Sequence, residues 1–256
     1  MQLAKTYKLK SVATFLLAIA VGAVLVLTVN KTGAHAVFFG NTTKLLPIYC
    51  VEKESKVISI SFDCAWGTDH TDSILKNLEQ NQIKATFFMV EFWTEKYPDY
   101  VKKISENGHE IGTHSATHSK MSKQTAEEIK KELASSSKAI TDITGKKVEL
   151  FRAPFGDYDD ELIKTASEQG YYTIQWDVDS LDWKNLSSGD IAMRIINKVQ
   201  NGSIILMHNN GLHTAEALPI IFQTLKNRGY KFVPIGELIL RENYFIDGTG
   251  KQRIAK

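Results

Sequence analysis

Five short stretches hold most of the side chains able to do chemistry: Ser61-Phe62-Asp63-Cys64, His114-Ser115-Ala116-Thr117-His118, Arg152-Ala153-Pro154-Phe155-Gly156, Asp179-Ser180-Leu181-Asp182-Trp183 and Leu206-Met207-His208. His114 and His118 stand at i and i+4, so one turn of helix would stack both imidazoles on one face, an arrangement that holds divalent metals. No glutamate sits between them, which excludes the HExxH pattern with its built-in base. Asp63 ends an apolar run, where a carboxylate is costly unless it is paired or coordinated; it reads as a metal ligand, as the base that deprotonates a water, or as a cap of the following turn. Arg152, ahead of the rigid Pro154, is placed to meet a carboxylate. Trp176 and Trp183 bracket Asp177, Asp179 and Asp182, a mixture suited to stacking sugar rings, although Trp176 lies within a strand and reads as core. His208 closes the apolar run Ile204-Ile205-Leu206-Met207 and reads as a structural imidazole or as an acid. Together this is the inventory of a metal-assisted hydrolase.

The elements that must position these groups alternate as βα units. Strands are predicted at 57–62, 84–90, 109–113, 148–151, 171–176, 203–207 and 231–233, and helices at 71–81, 97–107, 125–144, 159–169, 189–200 and 214–228. Gly145 is the expected stop of the longest helix. Each chemical stretch starts where a predicted strand ends, the carboxyl edge at which parallel α/β folds gather their loops. Groups from five strands must converge on one point, so an irregular (β/α) barrel of about seven parallel strands fits better than a doubly wound sheet.

The whole chain has 256 residues, 43% of them hydrophobic, enough for a core within a single globular domain. Residues 1–36 carry Lys5, Lys8, Lys10 and Lys31 and no acid, leaving 27 basic against 29 acidic side chains in the rest. Without a concentrated basic face, a nucleic-acid partner is excluded. Ser11 to Val29 is an uncharged, mostly apolar run, long enough to cross a hydrocarbon layer roughly 30 Å thick. With Ala34-His35-Ala36 after it, the run reads as a membrane anchor or as a cleaved signal, and either way the later residues are expected beyond the cytoplasmic membrane. The expected organisation is a targeting segment at 1–36, a linker at 37–56, the catalytic domain at 57–240 and a tail at 241–256, with a monomer expected. Cys50 and Cys64 are the only cysteines, and no disulfide is expected between them.

The identity and order of the five motifs resemble the carbohydrate esterase family 4 polysaccharide deacetylases, with their NodB-like domain, over about residues 55 to 240. The resemblance implies metal-dependent removal of N-acetyl groups from a glycan such as peptidoglycan, with zinc, or cobalt, as the ion. It implies Asp63 as general base, Arg152 as its orienting partner, His114 and His118 as metal ligands, Asp182 as partner of the acid, His208 as general acid and Trp183 in the sugar groove. Phe155 and Tyr158 are expected to contact substrate, and the backbone from Gly156 to Tyr158 to hold the oxyanion. The SFDCAWG form of the first motif looks closest to sporulation-type members, which implies a cell-wall or spore-envelope setting. One position departs: the family usually has a second aspartate, the third metal ligand, where Cys64 stands. Cys64 is the expected replacement by virtue of its softness; the alternatives are a two-histidine site completed by Asp63 or water, a ligand from Asp69 or His70, or a protein that binds glycan without turning it over.

Overall fold

The computed structural model describes residues 44–255. The targeting segment and the first part of the linker lie outside them. Among the described residues no helix is long and apolar enough to cross a membrane.

Eleven strands order the described chain: β1 (Cys50–Val51), β2 (Val57–Cys64), β3 (Thr86–Met89), β4 (Glu110–Thr113), β5 (Leu150–Phe151), β6 (Tyr172–Thr173), β7 (Val178–Asp179), β8 (Ile204–His208), β9 (Lys231–Phe232), β10 (Tyr244–Ile246) and β11 (Lys251–Ile254). The main sheet runs β6-β5-β4-β3-β2-β8-β7, all parallel, and curls into a half-barrel. Its seven-strand count meets the expectation, but the membership differs. The predicted strand at 231–233 pairs only with the first residues of β2. The seventh place goes to β7, two residues inside the aspartate-rich stretch that are too few to show a period.

Alternation along β2 determines what can reach the site. Ile58, Ile60, Phe62 and Cys64 point into the layer between sheet and helices and join the largest apolar cluster, with Phe87, Met89 and Met207. Ser59, Ser61 and Asp63 occupy the other face, where the two serines donate to the carbonyls of Val233 and Ile205. A side-chain period of two makes this division binding on the whole strand. On the inner face Phe88 registers opposite Asp63 and Gly112 opposite Phe88. A Cβ at Gly112 would lie 2.6 Å from the Phe88 ring, so the missing side chain makes room for that ring.

The predicted helices fall within two residues of their bounds, and two unpredicted ones cover Glu91–Lys96 and Ile235–Leu238. Ala126–Thr144 starts at a capping box between Thr125 and Glu128 and stops at Gly145, which takes the left-handed conformation at φ 68°; such a cap contributes about 1 kcal/mol. Past the expected end of the domain, residues 244–254 form β10 and β11, and β11 pairs with β1 in a separate three-stranded sheet.

Candidate active site

Asp63 and His208 are register partners on adjacent parallel strands, β2 and β8, at their carboxyl ends. Neighbouring strands run about 4.8 Å apart, so two residues in register on one face present their side chains side by side. His114 directly follows β4 and Arg152 directly follows β5, whose ends are likewise paired. The Asp182 turn follows β7, not β6 as the sequence reading had it.

Arg152 is fully buried and donates from Nη1 to Asp63 Oδ1 at 2.8 Å and from Nη2 to the Gln175 carbonyl at 3.2 Å. Its guanidinium lies 4.1 Å from the Phe88 ring centroid. Burial pushes the Asp63 carboxyl up, but the charge and hydrogen bond of Arg152, with the charge of His208, outweigh it and hold Asp63 below the usual carboxylate range. Asp63 is therefore an ionised, buried carboxylate with one oxygen committed to arginine. The other, Oδ2, lies 3.5 Å from His114 Nε2.

His114 Nδ1 is 2.7 Å from the Arg152 carbonyl, which can only accept, so Nδ1 carries the proton. Burial pushes the imidazole below its ordinary value. The neutral ring therefore turns the lone pair of Nε2 toward a carboxylate oxygen, and two acceptors face one another. A cation or a shared proton resolves such a contact. His118 is also held neutral, its pKa lowered by burial to about 4, and its ring centroid is 5.0 Å from that of His114.

The two imidazoles come together without the predicted helical turn. Ser115 and His118 have φ of 71° and 55°, and the stretch is a bend. The buried Glu132, from helix Ala126–Thr144, accepts from the amides of Ala116 at 2.8 Å and Thr117 at 2.9 Å and from the Thr117 hydroxyl at 2.7 Å. Ser115 Oγ accepts from the His118 amide. Side-chain oxygens thus take the backbone donors that a helix would have used. Non-glycine residues with left-handed backbone recur around this site, at Phe155, Leu181 and Asn185 as well, in keeping with strain held where the surrounding structure overdetermines it.

On the opposite side Asp182, fully buried, accepts four hydrogen bonds. Oδ1 takes His208 Nδ1 at 2.7 Å and the Trp183 amide at 2.9 Å; Oδ2 takes the His208 amide at 2.8 Å and Thr214 Oγ1 at 2.6 Å. Burial alone would lower the His208 pKa, but the hydrogen bond and charge of Asp182 raise it above the ordinary imidazole value. The same contacts outweigh burial at Asp182 and lower its own pKa. The carboxyl of Asp63 is thus held below its ordinary pKa and the imidazole of His208 above it, and both side chains line one cavity of about 560 Å³.

Phe155 and Trp183 line that cavity, and so do Trp176, which had read as core, and Trp66. Tyr158 is not in the wall; its hydroxyl pairs with Tyr49 at 2.9 Å and its ring packs on the cluster around Phe151. The amides of Gly156 and Asp157 are occupied by the carbonyls of Ala153 and Pro154. Asp69 and His70 stand at the start of helix Thr71–Gln80, outside the wall. Cys64 is fully buried in the apolar layer, its thiol pushed well above its ordinary pKa by burial, and it too is outside the wall. Both cysteines are free.

The donor set therefore fits a metal ion only in part. His114 and His118 are neutral and adjacent, and His114 is oriented by its bond to the Arg152 carbonyl, as a ligand must be, whereas the thiol at position 64 lies on the other face of its strand. Among the described residues no group of three His, Cys, Asp or Glu side chains is arranged to hold an ion. Glu132 and Trp66 were missed in the sequence. Glu132 gives no local signal, because it acts across the fold, while Trp66 sits inside the first motif and could have been weighed there.

Residues 51–174 match the family model described as polysaccharide deacetylase. A peptidoglycan-N-acetylglucosamine deacetylase of Bacillus cereus is 34% identical over 194 residues, covering 74% of this chain and 91% of the relative. The enzyme PgdA of Listeria monocytogenes, a peptidoglycan-N-acetylglucosamine deacetylase, is 34% identical over 186 residues, covering 73% of this chain and 39% of PgdA. The chain spans only about half the length of some relatives, 60% in one from Bacillus subtilis. Among solved structures, BA3943 of Bacillus anthracis, a CE4 family pseudoenzyme, aligns with TM-score 0.73 and 34% identity over 75% of this chain and 68% of its own. A mutant of BA3943 has restored enzymatic activity.

Proposed function

Because the chain belongs to the polysaccharide deacetylase family, we propose that its cavity hydrolyses the N-acetyl amide of a cell-wall glycan, with peptidoglycan as the substrate. The observation that carries this reading is the register pairing of Asp63 with His208, each held in the opposite protonation state by its own buried partner. Asp63 takes a proton from the attacking water as a C–O bond forms at the acetyl carbon. His208 gives its proton to the nitrogen as the C–N bond breaks, and acetate and a free sugar amine depart. Arg152 holds the Asp63 carboxylate ionised and aimed, and Asp182, accepting from Nδ1, stabilises the His208 imidazolium, whose Nε2 carries the proton that is given up. A zinc or cobalt ion held by His114 and His118 would supply positive charge for the acetamide carbonyl and acidity for the water. The names of the peptidoglycan deacetylase relatives and the apolar run Ser11–Val29 support a site of action outside the cytoplasmic membrane, with the N-terminal segment as anchor or signal. The SFDCAWG motif supports a role in the envelope of sporulating cells.

The test is mass spectrometry of peptidoglycan fragments incubated with the zinc- or cobalt-supplemented protein. Loss of acetyl groups with matching acetate release is expected; unchanged fragments under both metals overturn the reading.

A second reading, a glycan-binding protein with impaired turnover, is favoured by the burial of Cys64 on the wrong face of β2 and by the likeness to a pseudoenzyme. It expects fragments to bind without acetate release under either metal. Acetate release by the unaltered chain with metal would remove it.

A further inference from the structure

We infer that Trp66 is a glycan-binding residue, a rigid aromatic anchor for the sugar next to the one attacked, so that the site selects a chain of sugars over a single one. The inference rests on the glycan reading above and extends it to a residue to which the resemblance gave no role.

Trp66 is 60% exposed, yet it forms part of the cavity wall. Two other large aromatics in that wall are as open, Phe155 at 63% and Trp183 at 57%. Trp66 and Phe155 flank His118, with centroids 4.9 and 4.6 Å from its ring and planes inclined by 74° and 68°. Trp183 lies on the other side of the reacting centre, on the turn that holds Asp182 against His208. A sugar whose acetamide sits between Asp63 and His208 therefore has aromatic surface on both flanks. Successive rings of a polysaccharide lying along this wall would meet Trp66 and Trp183 in turn.

The loop under Trp66 is built for rigidity. The Gly67 carbonyl accepts from the fully buried Trp93 Nε1 at 2.8 Å and from Asn209 Nδ2 at 2.9 Å, and Asn209 also donates to Thr71 Oγ1 at 3.2 Å. Two buried side chains thus fix the backbone next to an indole that is itself left open. Preorganising an exposed aromatic in this way lowers the ordering cost of binding. As a packing element Trp66 has little purpose, since over half of it remains in solvent.

The test is isothermal titration of the His208→Ala protein, in which turnover does not consume ligand, with the N-acetylglucosamine tetramer and monomer. Tetramer affinity should drop about tenfold with Trp66→Ala and recover largely with Trp66→Phe, while monomer binding stays within about twofold. If His208→Ala binds the tetramer and Trp66→Ala leaves that affinity unchanged, the inference is wrong while the glycan reading stands. Should neither saccharide nor a peptidoglycan fragment bind, both fall. An equal loss for monomer and tetramer would also overturn the neighbouring-sugar assignment.

Discussion

At the scale of single residues, the site works by setting two titrations apart. Burial would raise Asp63 and lower His208, and in both cases a charged partner reverses the sign: Arg152 at Asp63, Asp182 at His208. Asp63→Asn keeps the shape and removes the proton acceptor, so acetate release should drop by on the order of a hundredfold or more while glycan affinity changes little. The pH dependence follows from the same two directions. The proposed chemistry needs Asp63 ionised, which its lowered pKa secures well into the acid range, and His208 protonated, which holds until the pH rises through its raised pKa. The rate should therefore persist through neutrality and decline on the alkaline side; in Asp182→Asn, with the negative charge gone, that decline should move to lower pH. A profile of initial rates for both proteins checks this, and an unmoved alkaline limb would rule out His208 as the acid. Linkage gives stability the same window. The His208 contribution is full below the unfolded imidazole pKa and is lost as pH rises through the folded value. The contributions of Asp63 and Asp182 are present above the unfolded carboxylate pKa and lost as pH falls through their lowered folded values.

At the scale of elements, the loop 114–118 shows what patterning reveals and what it leaves hidden. The two histidines, their spacing and their place after β4 were legible, because strand ends and residue types are local properties. The path between them was not. Helical spacing suggested a turn of helix, whereas the loop is a bend clamped by Glu132 from a distant helix, and no local pattern reports a contact between residues 15 and 16 positions apart. Position 64 shows the same limit. Its residue type suggested a thiolate ligand, while strand alternation, carried one residue beyond Asp63, turns the thiol into the apolar layer. Glu132→Ala would strand two loop amides and free His118 to move, so a loss of about 2 kcal/mol in urea unfolding is expected. Metal titration should show weaker binding by the pair of imidazoles, with Glu132→Gln retaining part of both, since the amide oxygen still accepts. Full metal affinity in Glu132→Ala would show that the clamp does not position the pair.

At the scale of the whole described chain, the two ends of residues 44–255 are laced to the barrel in a way that a reading of domain limits did not show. Residues 241–256 were expected as a tail beyond the catalytic domain. In the fold, β11 runs parallel to β1, and Gln252, fully buried, exchanges hydrogen bonds with both backbone groups of Leu240 at 2.8 Å. The seam between β1 and the main sheet closes at Gly202, whose carbonyl accepts from the Val51 amide at 2.9 Å. A Cβ at Gly202 would lie 1.6 Å from the Val51 carbonyl oxygen, and no rotamer relieves a clash between backbone and Cβ. Gly145 offers the control. It shares the left-handed backbone, φ 68° against 79°, but nothing lies within 4 Å of a Cβ placed there. Alanine at Gly145 should therefore cost only the conformational penalty, about 1 kcal/mol, whereas alanine at Gly202 adds the displacement of β1 and should cost about 3 kcal/mol or more. Urea unfolding of the two variants side by side measures the difference. Equal losses would mean that β1 and the strands beyond it are not held by this seam, and that the barrel stands without them.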